Sequence, residues 1–285
     1  MATTQAGTNK HSVTWHGFKT RSLPKVPSWI ESLGRAGHVA KGVVYFIIGF
    51  LAFKLAIGAG GEISGSREAI KEIGQQPFGR ILLGIVAIGL IGYTAWRWTQ
   101  AAKDTEGAGN EAKGICKRIG YAVSGIAYLS LGCFAGSRAL GFGGGSGGSS
   151  GAFLLESTWG RVVLGIAGGV TIGVAGYFIY KAYLASFMTK YRLAEMSETA
   201  RKAALNVGRI GLSTRAVAFA IIGGFVVASA YRGTSDGEIA GMSDALAMIA
   251  SQSYGKVLLG ITGFGLMCYA VHMFLMARFR RFNVE

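Results

Sequence analysis

Six long apolar segments dominate this sequence of 285 residues. They cover approximately residues 39–57, 79–98, 119–140, 160–183, 208–230 and 255–277. Each has about the 20 residues that an α-helix needs to cross a hydrocarbon layer of about 30 Å. Only 15% of the residues are charged, against about 25% in soluble domains, and six core helices that are apolar on every face would leave no surface for water. The sequence therefore predicts an all-α protein with six transmembrane helices.

A motif recurs at the start of the first, third and fifth spans. It reads Arg-x-Gly, followed at fixed offsets by Gly or Ala, an aromatic residue and Gly. The matched positions are Arg35, Gly42, Tyr45 and Gly49; Arg118, Gly125, Tyr128 and Gly132; and Arg209, Ala216, Phe219 and Gly223. Matches at several fixed offsets in three places indicate an internal repeat.

A second motif opens the other three spans. It reads FGRILLGI at residues 78–85, WGRVVLGI at 159–166 and YGKVLLGI at 254–261. The two motifs together define three repeats at residues 29–103, 114–190 and 205–281. Because each repeat holds two spans, all three enter the membrane in the same orientation, which predicts parallel repeats about an approximate threefold axis along the membrane normal.

Three shorter segments lie outside the spans. Residues 1–28 are polar and lack the apolar core of a secretory signal, so they are predicted to form a flexible cytoplasmic arm. Residues 68–76 and 244–252 each begin with an acid and space their apolar residues for a short amphipathic helix at the membrane surface. The middle repeat instead has the sequence GFGGGSGGSSG at 141–151, which is typical of a flexible linker.

Basic residues are concentrated on one side of the predicted membrane. The arm up to residue 41, the segments 97–118 and 181–215 and the tail hold 21 basic and 7 acidic residues, whereas the other side holds 8 and 7. The positive-inside bias therefore predicts that both termini are cytoplasmic. Contact with anionic lipids of that leaflet accounts for the net charge of +15 without a nucleic acid partner.

Glycines recur on single faces of the predicted spans. Such faces let another helix backbone approach closely, which is a main source of helix association in lipid. The glycines expected to pack helices are Gly42, Gly49, Gly84, Gly125, Gly132, Gly165, Gly169, Gly173, Gly223 and Gly260.

Cations recur at both ends of the repeats and have two interpretations. They are either interfacial anchors or two rings of three that bind lipid phosphate or another anion. The two sets are Arg35, Arg118 and Arg209 at the cytoplasmic boundary, and Arg80, Arg161 and Lys256 at the opposite one. Deeper positions of the first spans would line a path on the axis; they are Lys41, Tyr45, Ser124, Tyr128, Arg215 and Phe219.

Residue types that carry catalysis or ligate metals are sparse. Cys116, Cys133 and Cys268 are scattered, and His38 and His272 fall near the cytoplasmic ends of the first and last spans. No spacing among them indicates a metal or haem site, and no hydrolase, metalloprotease or phosphate-loop pattern is present. The sequence predicts no catalytic residue, cofactor or metal.

The two motifs, three times each in a six-span chain, resemble the bacterial integral-membrane family called domain of unknown function 1206. The resemblance covers residues 33–281, and the middle copy departs most from the pattern. It implies three tandem two-helix units and a location in the bacterial inner membrane, and it brings no activity with it.

Two functional hypotheses follow from these features. The first is a non-enzymatic accessory or scaffold subunit that packs against other membrane proteins or lipids, because the spans carry glycine-rich faces and no carboxylate. The alternative is a small channel or transporter that favours anions, with its path along the axis of the repeats.

Overall fold

The computed structural model describes residues 27–60, 63–142, 157–232 and 242–282. Within these ranges the chain forms eight α-helices and two short 3-10 helices, Ser186–Lys190 and Leu193–Glu195. The α-helices are α1 (Ser28–Ala56), α2 (Ser66–Gln75), α3 (Gly79–Lys103), α4 (Ala112–Ala139), α5 (Thr158–Tyr183), α6 (Glu198–Arg232), α7 (Met242–Ala250) and α8 (Gly255–Phe279). Most of the predicted arm and of the Gly/Ser segment lies outside the described residues.

Six of these helices are long and apolar enough to cross a membrane: α1, α3, α4, α5, α6 and α8. The prediction of an all-α, six-span protein is therefore confirmed. Several spans are longer than predicted, since α1 begins at Ser28 and α6 at Glu198. Polar end turns remain helical beyond the apolar window, as with the Arg35 guanidinium that pairs with Glu31 one turn earlier at 2.6 Å.

The closest helix packing joins neighbouring repeats. It pairs α1 with α8, α3 with α4, and α5 with α6. The last two pairs are connected by the loops at 104–111 and 184–197, and the first brings the two ends of the chain together. We call the membrane face that carries these loops, the start of α1 and residues 280–282 the terminal face.

Glycines form the same seam in all three pairs. The seams set Gly42 and Gly49 against Phe274 and Gly263, Gly125 and Gly132 against Trp98 and Ile91, and Gly223 against Gly168. A Cβ added at Gly49 would lie 2.6 Å from the carbonyl oxygen of Gly263, and one at Gly223 would lie 2.8 Å from that of Gly168. Side chains at these positions would force the helix backbones apart.

For three of the glycines expected to pack helices, the described residues include no packing partner. A Cβ at Gly84, Gly169 or Gly173 would meet nothing within 4 Å among the described residues. The seams use a position one turn further along the second span, as at Gly168 and Gly263. The remaining two, Gly165 and Gly260, lie in ordinary contact with Ala230 and Ala56.

The two spans within a repeat also pack, except in the middle repeat. Gly37 of α1 lies against Tyr93 of α3, and Gly211 of α6 lies against Tyr269 of α8. The matching glycine of α4, Gly120, has nothing within 4 Å in the described part of the chain. Only 17% of the most apolar stretch of α4 and of α5 is buried, against 39–56% in the other spans. Among the described residues, the bundle is therefore open between α4 and α5, and we call this gap the open side.

Candidate anion-binding site

Lys41 lies deep in the bundle inside a cage of tyrosines. Its side chain is 2% exposed, and its amine is 4.9 to 6.0 Å from four ring centroids, which belong to Tyr45, Tyr93, Tyr128 and Tyr269. No hydrogen bond or ion pair reaches this amine from the described residues. Cation–π attraction is therefore its main stabilising contact.

Arg215 occupies the matching position of the third repeat and shares the same aromatic cluster. Its guanidinium is 4.6 Å from the Phe219 ring and 5.4 Å from the Tyr45 ring. It donates a hydrogen bond of 2.5 Å to the Tyr269 hydroxyl, while its Nε is buried without a partner. A guanidinium does not lose its proton in proteins, so this position carries a full positive charge.

The structure thus brings together five of the six residues predicted to line the axis. The sixth, Ser124, donates its hydroxyl hydrogen to the Tyr121 carbonyl of its own helix. Beyond Tyr45, the interior toward the opposite face is filled by fully buried apolar side chains: Ile48, Ala52, Leu90 and Leu266. Among the described residues, the buried charged side chains, Lys41, Arg215 and Arg280, therefore all lie in the terminal-face half of the bundle.

Two further cations adjoin this cluster. The Arg97 guanidinium stacks 4.9 Å from the Tyr93 ring and 5.3 Å from the Tyr121 ring, and its Nε is buried without a partner. Lys181 of α5 is partly buried and close enough to Arg97 for the two like charges to repel each other. The charge count by membrane side placed both cations in the segments 97–118 and 181–215 between the spans. Their place within the extended helices turns them inward.

Glu106 of the α3–α4 loop is the acidic centre of the terminal face. Its carboxylate accepts hydrogen bonds from Lys190 at 2.6 Å, Arg280 at 2.8 Å and the Tyr121 hydroxyl at 2.7 Å. Burial alone would raise the pKa of Glu106, but the neighbouring charges of Lys190 and Arg280 lower its pKa well below the ordinary value. Glu106 is therefore ionised at neutral pH.

Backbone bonds hold the two cationic partners of Glu106 in place. The amide of Arg192 donates to the Phe279 carbonyl at 2.7 Å, and the amide of Arg281 donates to the Lys190 carbonyl at 2.8 Å. These bonds join the α5–α6 loop to the chain end after α8. Glu106 therefore links loops from all three repeats.

The charges in this half of the bundle do not balance. The cations are Lys41, Arg97, Lys117, Lys181, Lys190, Arg215 and Arg280, which lie near enough to repel one another electrostatically. Among the described residues, Glu106 is the one carboxylate that forms an ion pair with any of them. Seven cations thus share this half with one carboxylate that pairs with any of them, and five of the seven lie within spans.

Each of the three arginines predicted at the terminal face donates a hydrogen bond to a backbone carbonyl of a neighbouring helix. Arg35 donates to the carbonyl of Ala277 at 2.6 Å, and Arg118 donates to that of Ala101 at 2.6 Å. The third, Arg209, donates to that of Tyr183 at 3.4 Å. Each arginine therefore satisfies a free carbonyl at the end of the helix that it packs against, which is a helix cap rather than a ring of free cations.

The three cations predicted at the opposite face do not share one site. Arg80 lines a pocket of about 250 Å³ together with Lys71 and Arg138. Arg161 and Lys256 are outside this pocket and lie at the exposed first turns of α5 and α8.

Both histidines of the spans have internal contacts. The ring of His38 bonds to the Gly34 carbonyl at 2.6 Å through Nδ1 and contacts Arg280 at 3.3 Å through Nε2. Because Arg280 can only donate, Nε2 accepts and the proton of His38 is on Nδ1. The ring of His272 bonds to the Tyr191 hydroxyl at 2.8 Å.

The fold and its repeated motifs define a class: a multi-pass α-helical membrane protein built from three tandem two-helix repeats. The chain belongs to the family described as Domain of Unknown Function (DUF1206), whose model matches residues 36–104, 119–185 and 210–280. The resemblance drawn from the motifs is thereby confirmed. A curated relative, the "uncharacterized protein YxxB" of Bacillus subtilis (strain 168), is 34% identical over 275 residues, or 94% of this chain and 98% of the relative. No solved structure matches the chain significantly.

Proposed function

We propose that this chain is a non-enzymatic membrane protein that binds an anion between its helices, in the terminal-face half of the bundle. The observation that carries the proposal is the excess of cations over carboxylates around Arg97 and Arg215. Both guanidiniums are permanently charged, and each has a buried Nε without a partner. An uncompensated charge within a span is costly and is typical of a functional site.

The anion would complete contacts that the protein leaves open. Arg97 and Lys181 have no ion pair among the described residues, and Lys41 has aromatic contacts alone. An anionic group near these three cations would supply charge-assisted hydrogen bonds. The tyrosine hydroxyls of the cluster would fix its orientation.

The arrangement favours a binding site over a channel. Apolar packing at Ile48 and Leu266 separates the cations from the opposite face. The excess of basic residues on the terminal face supports a cytoplasmic position for it, in the bacterial inner membrane that the family resemblance implies.

A second candidate, the accessory subunit, is favoured by one observation. A Cβ at Gly169 or Gly173 of α5 would meet nothing within 4 Å in the described chain, so another membrane helix could pack there. Such a partner would bind α5 without involving the buried cations.

Thermal unfolding in a neutral detergent tests the anion site. At constant ionic strength, an anionic lipid or inorganic phosphate should raise the Tm of the protein. Arg97→Gln should abolish this rise and leave the ligand-free protein at least as stable, because an uncompensated charge is removed. Lys256→Gln, at the exposed start of α8, is the matched control and should keep the rise. An equal rise in the Arg97→Gln variant would contradict the proposal.

A further inference from the structure

The open side between α4 and α5 has a cause in the sequence. In the first repeat Ala40 packs against Gly89, and in the third Thr214 packs against Gly265. The matching residues of the middle repeat are Val123 and Val170. Both valines are exposed, at 59% and 61%. Two branched side chains replace a close contact with glycine, which prevents the approach of the two helices.

A second substitution has the same effect. Tyr93 and Tyr269 fill the space beside a glycine of the first span in their repeats, and the matching residue of α5 is Val174. The glycine itself is kept in α4 as Gly120. The middle repeat therefore has the surface that would receive a tyrosine but lacks the tyrosine.

The open side leads to the cations of the proposed anion site. Tyr177 of α5 is 44% exposed, and the next turn carries the partly buried Lys181. Across the opening, Lys117 of α4 lies 3.7 Å from the Glu106 carboxylate, and the like charges of Lys181, Lys117 and Arg97 repel one another. Apolar side chains, Val123 and Val170 among them, border the opening toward the bilayer. The end of the opening at the terminal face is cationic.

From this geometry we infer that the open side between α4 and α5 is a lateral entrance for an anionic phospholipid. The phosphate contacts Lys181, Arg97 and Lys117, and the acyl chains lie between the exposed valines of the two helices. Charge complementarity selects this occupant, because apolar walls that open to the bilayer and end at cations match a molecule with acyl chains and an anionic headgroup. The inference rests on the proposed anion site and adds the class of ligand and its route.

Native mass spectrometry of the full chain tests this inference, first with phosphatidylglycerol and phosphatidylcholine added in equal amounts and then with glycerol phosphate alone. The native protein should bind phosphatidylglycerol preferentially. The variant Val123→Ala/Val170→Gly/Val174→Tyr gives the middle repeat the contacts of the first, and it should close the opening and lower phosphatidylglycerol occupancy about tenfold. Circular dichroism checks its helix content.

A second variant, Val170→Trp, fills the opening without requiring the helices to close, and it should lower occupancy similarly. Leu258→Trp, on the partly exposed surface of α8, is the matched control and should leave occupancy unchanged. Full occupancy in both opening variants would overturn the entrance and leave the anion site intact. Binding of glycerol phosphate without phosphatidylglycerol would overturn the lipid, and binding of neither would overturn the anion site itself.

Discussion

Glu106 and Arg280 form an ion pair of 2.8 Å between the first interrepeat loop and the end of the last span. Lys190, from the second interrepeat loop, contacts the same carboxylate at 2.6 Å. One acidic side chain thus connects three segments that are far apart in the sequence, at the face where the seams between repeats end.

Removal of this carboxylate should destabilise the bundle strongly. Glu106→Gln would leave Lys190 and Arg280 buried without an anion, and we expect a loss of about 3–5 kcal/mol, as for other broken buried pairs. Thermal unfolding in detergent measures the effect. Glu195→Gln, whose acid is more than half exposed, is the control and should change the stability by less than about 1 kcal/mol. Equal effects would contradict the central position of Glu106.

The same carboxylate predicts a pH dependence of stability. Because the folded pKa of Glu106 is lowered, its stabilising contribution is present above the unfolded pKa of about 4.3 and is lost as the pH falls through the folded pKa. Native protein should therefore lose Tm below about pH 4 more steeply than Glu106→Gln. Parallel curves for the two proteins would show that other acids govern the loss.

The arginine caps should differ in strength according to their geometry. Arg35 and Arg118 each donate short bonds to two carbonyls, whereas Arg209 makes one bond of 3.4 Å. Alanine at Arg35 or Arg118 should cost about 1.5–3 kcal/mol, the range for bonds from charged groups, and alanine at Arg209 should cost less. Lysine should rescue poorly because it lacks the planar fork. Thermal unfolding of the three variants gives the order.

Two adjacent glycines of α5, Gly168 and Gly169, should differ in their response to alanine. A Cβ at Gly168 would lie 2.9 Å from the Gly223 carbonyl oxygen, whereas one at Gly169 would meet nothing within 4 Å in the described chain. Gly168→Ala should destabilise the α5–α6 pair by about 1–3 kcal/mol, and Gly169→Ala should be neutral for the monomer. If Gly169→Ala instead releases a copurified protein, α5 is a surface for another subunit.

Much of the architecture could be predicted from the sequence because its causes are local. Apolar length fixes the six spans, and recurrence at Arg35, Arg118 and Arg209 fixes the repeats. The partners of these arginines could not be predicted, since the carbonyls that they cap belong to another repeat and leave no residue pattern. The packing of Gly84 could not be predicted either. The spacing of glycines shows that they share one helix face, but it does not show whether another helix covers that face.

The candidate site was only partly predictable for the same reason. Lys41 and Arg215 were found through their equivalent places in the repeats. Arg97 and Lys181 have no cationic counterpart at the matching positions, and only tertiary packing turns them inward. Val123, Val170 and Val174 cause the opening of the middle repeat. Their effect could not be predicted from the sequence alone, because it depends on the helix contacts that the matching residues make in the other two repeats.

The most direct test of the account is the amount of anionic lipid that remains bound after exhaustive delipidation in neutral detergent. Phosphorus analysis and lipid mass spectrometry of the purified native protein should find about one tightly held anionic lipid per chain. The double variant Arg97→Gln/Lys181→Gln should hold little, and Lys256→Gln should hold as much as the native protein. Equal retention by the double variant and the native protein would contradict an anion site at the buried cations.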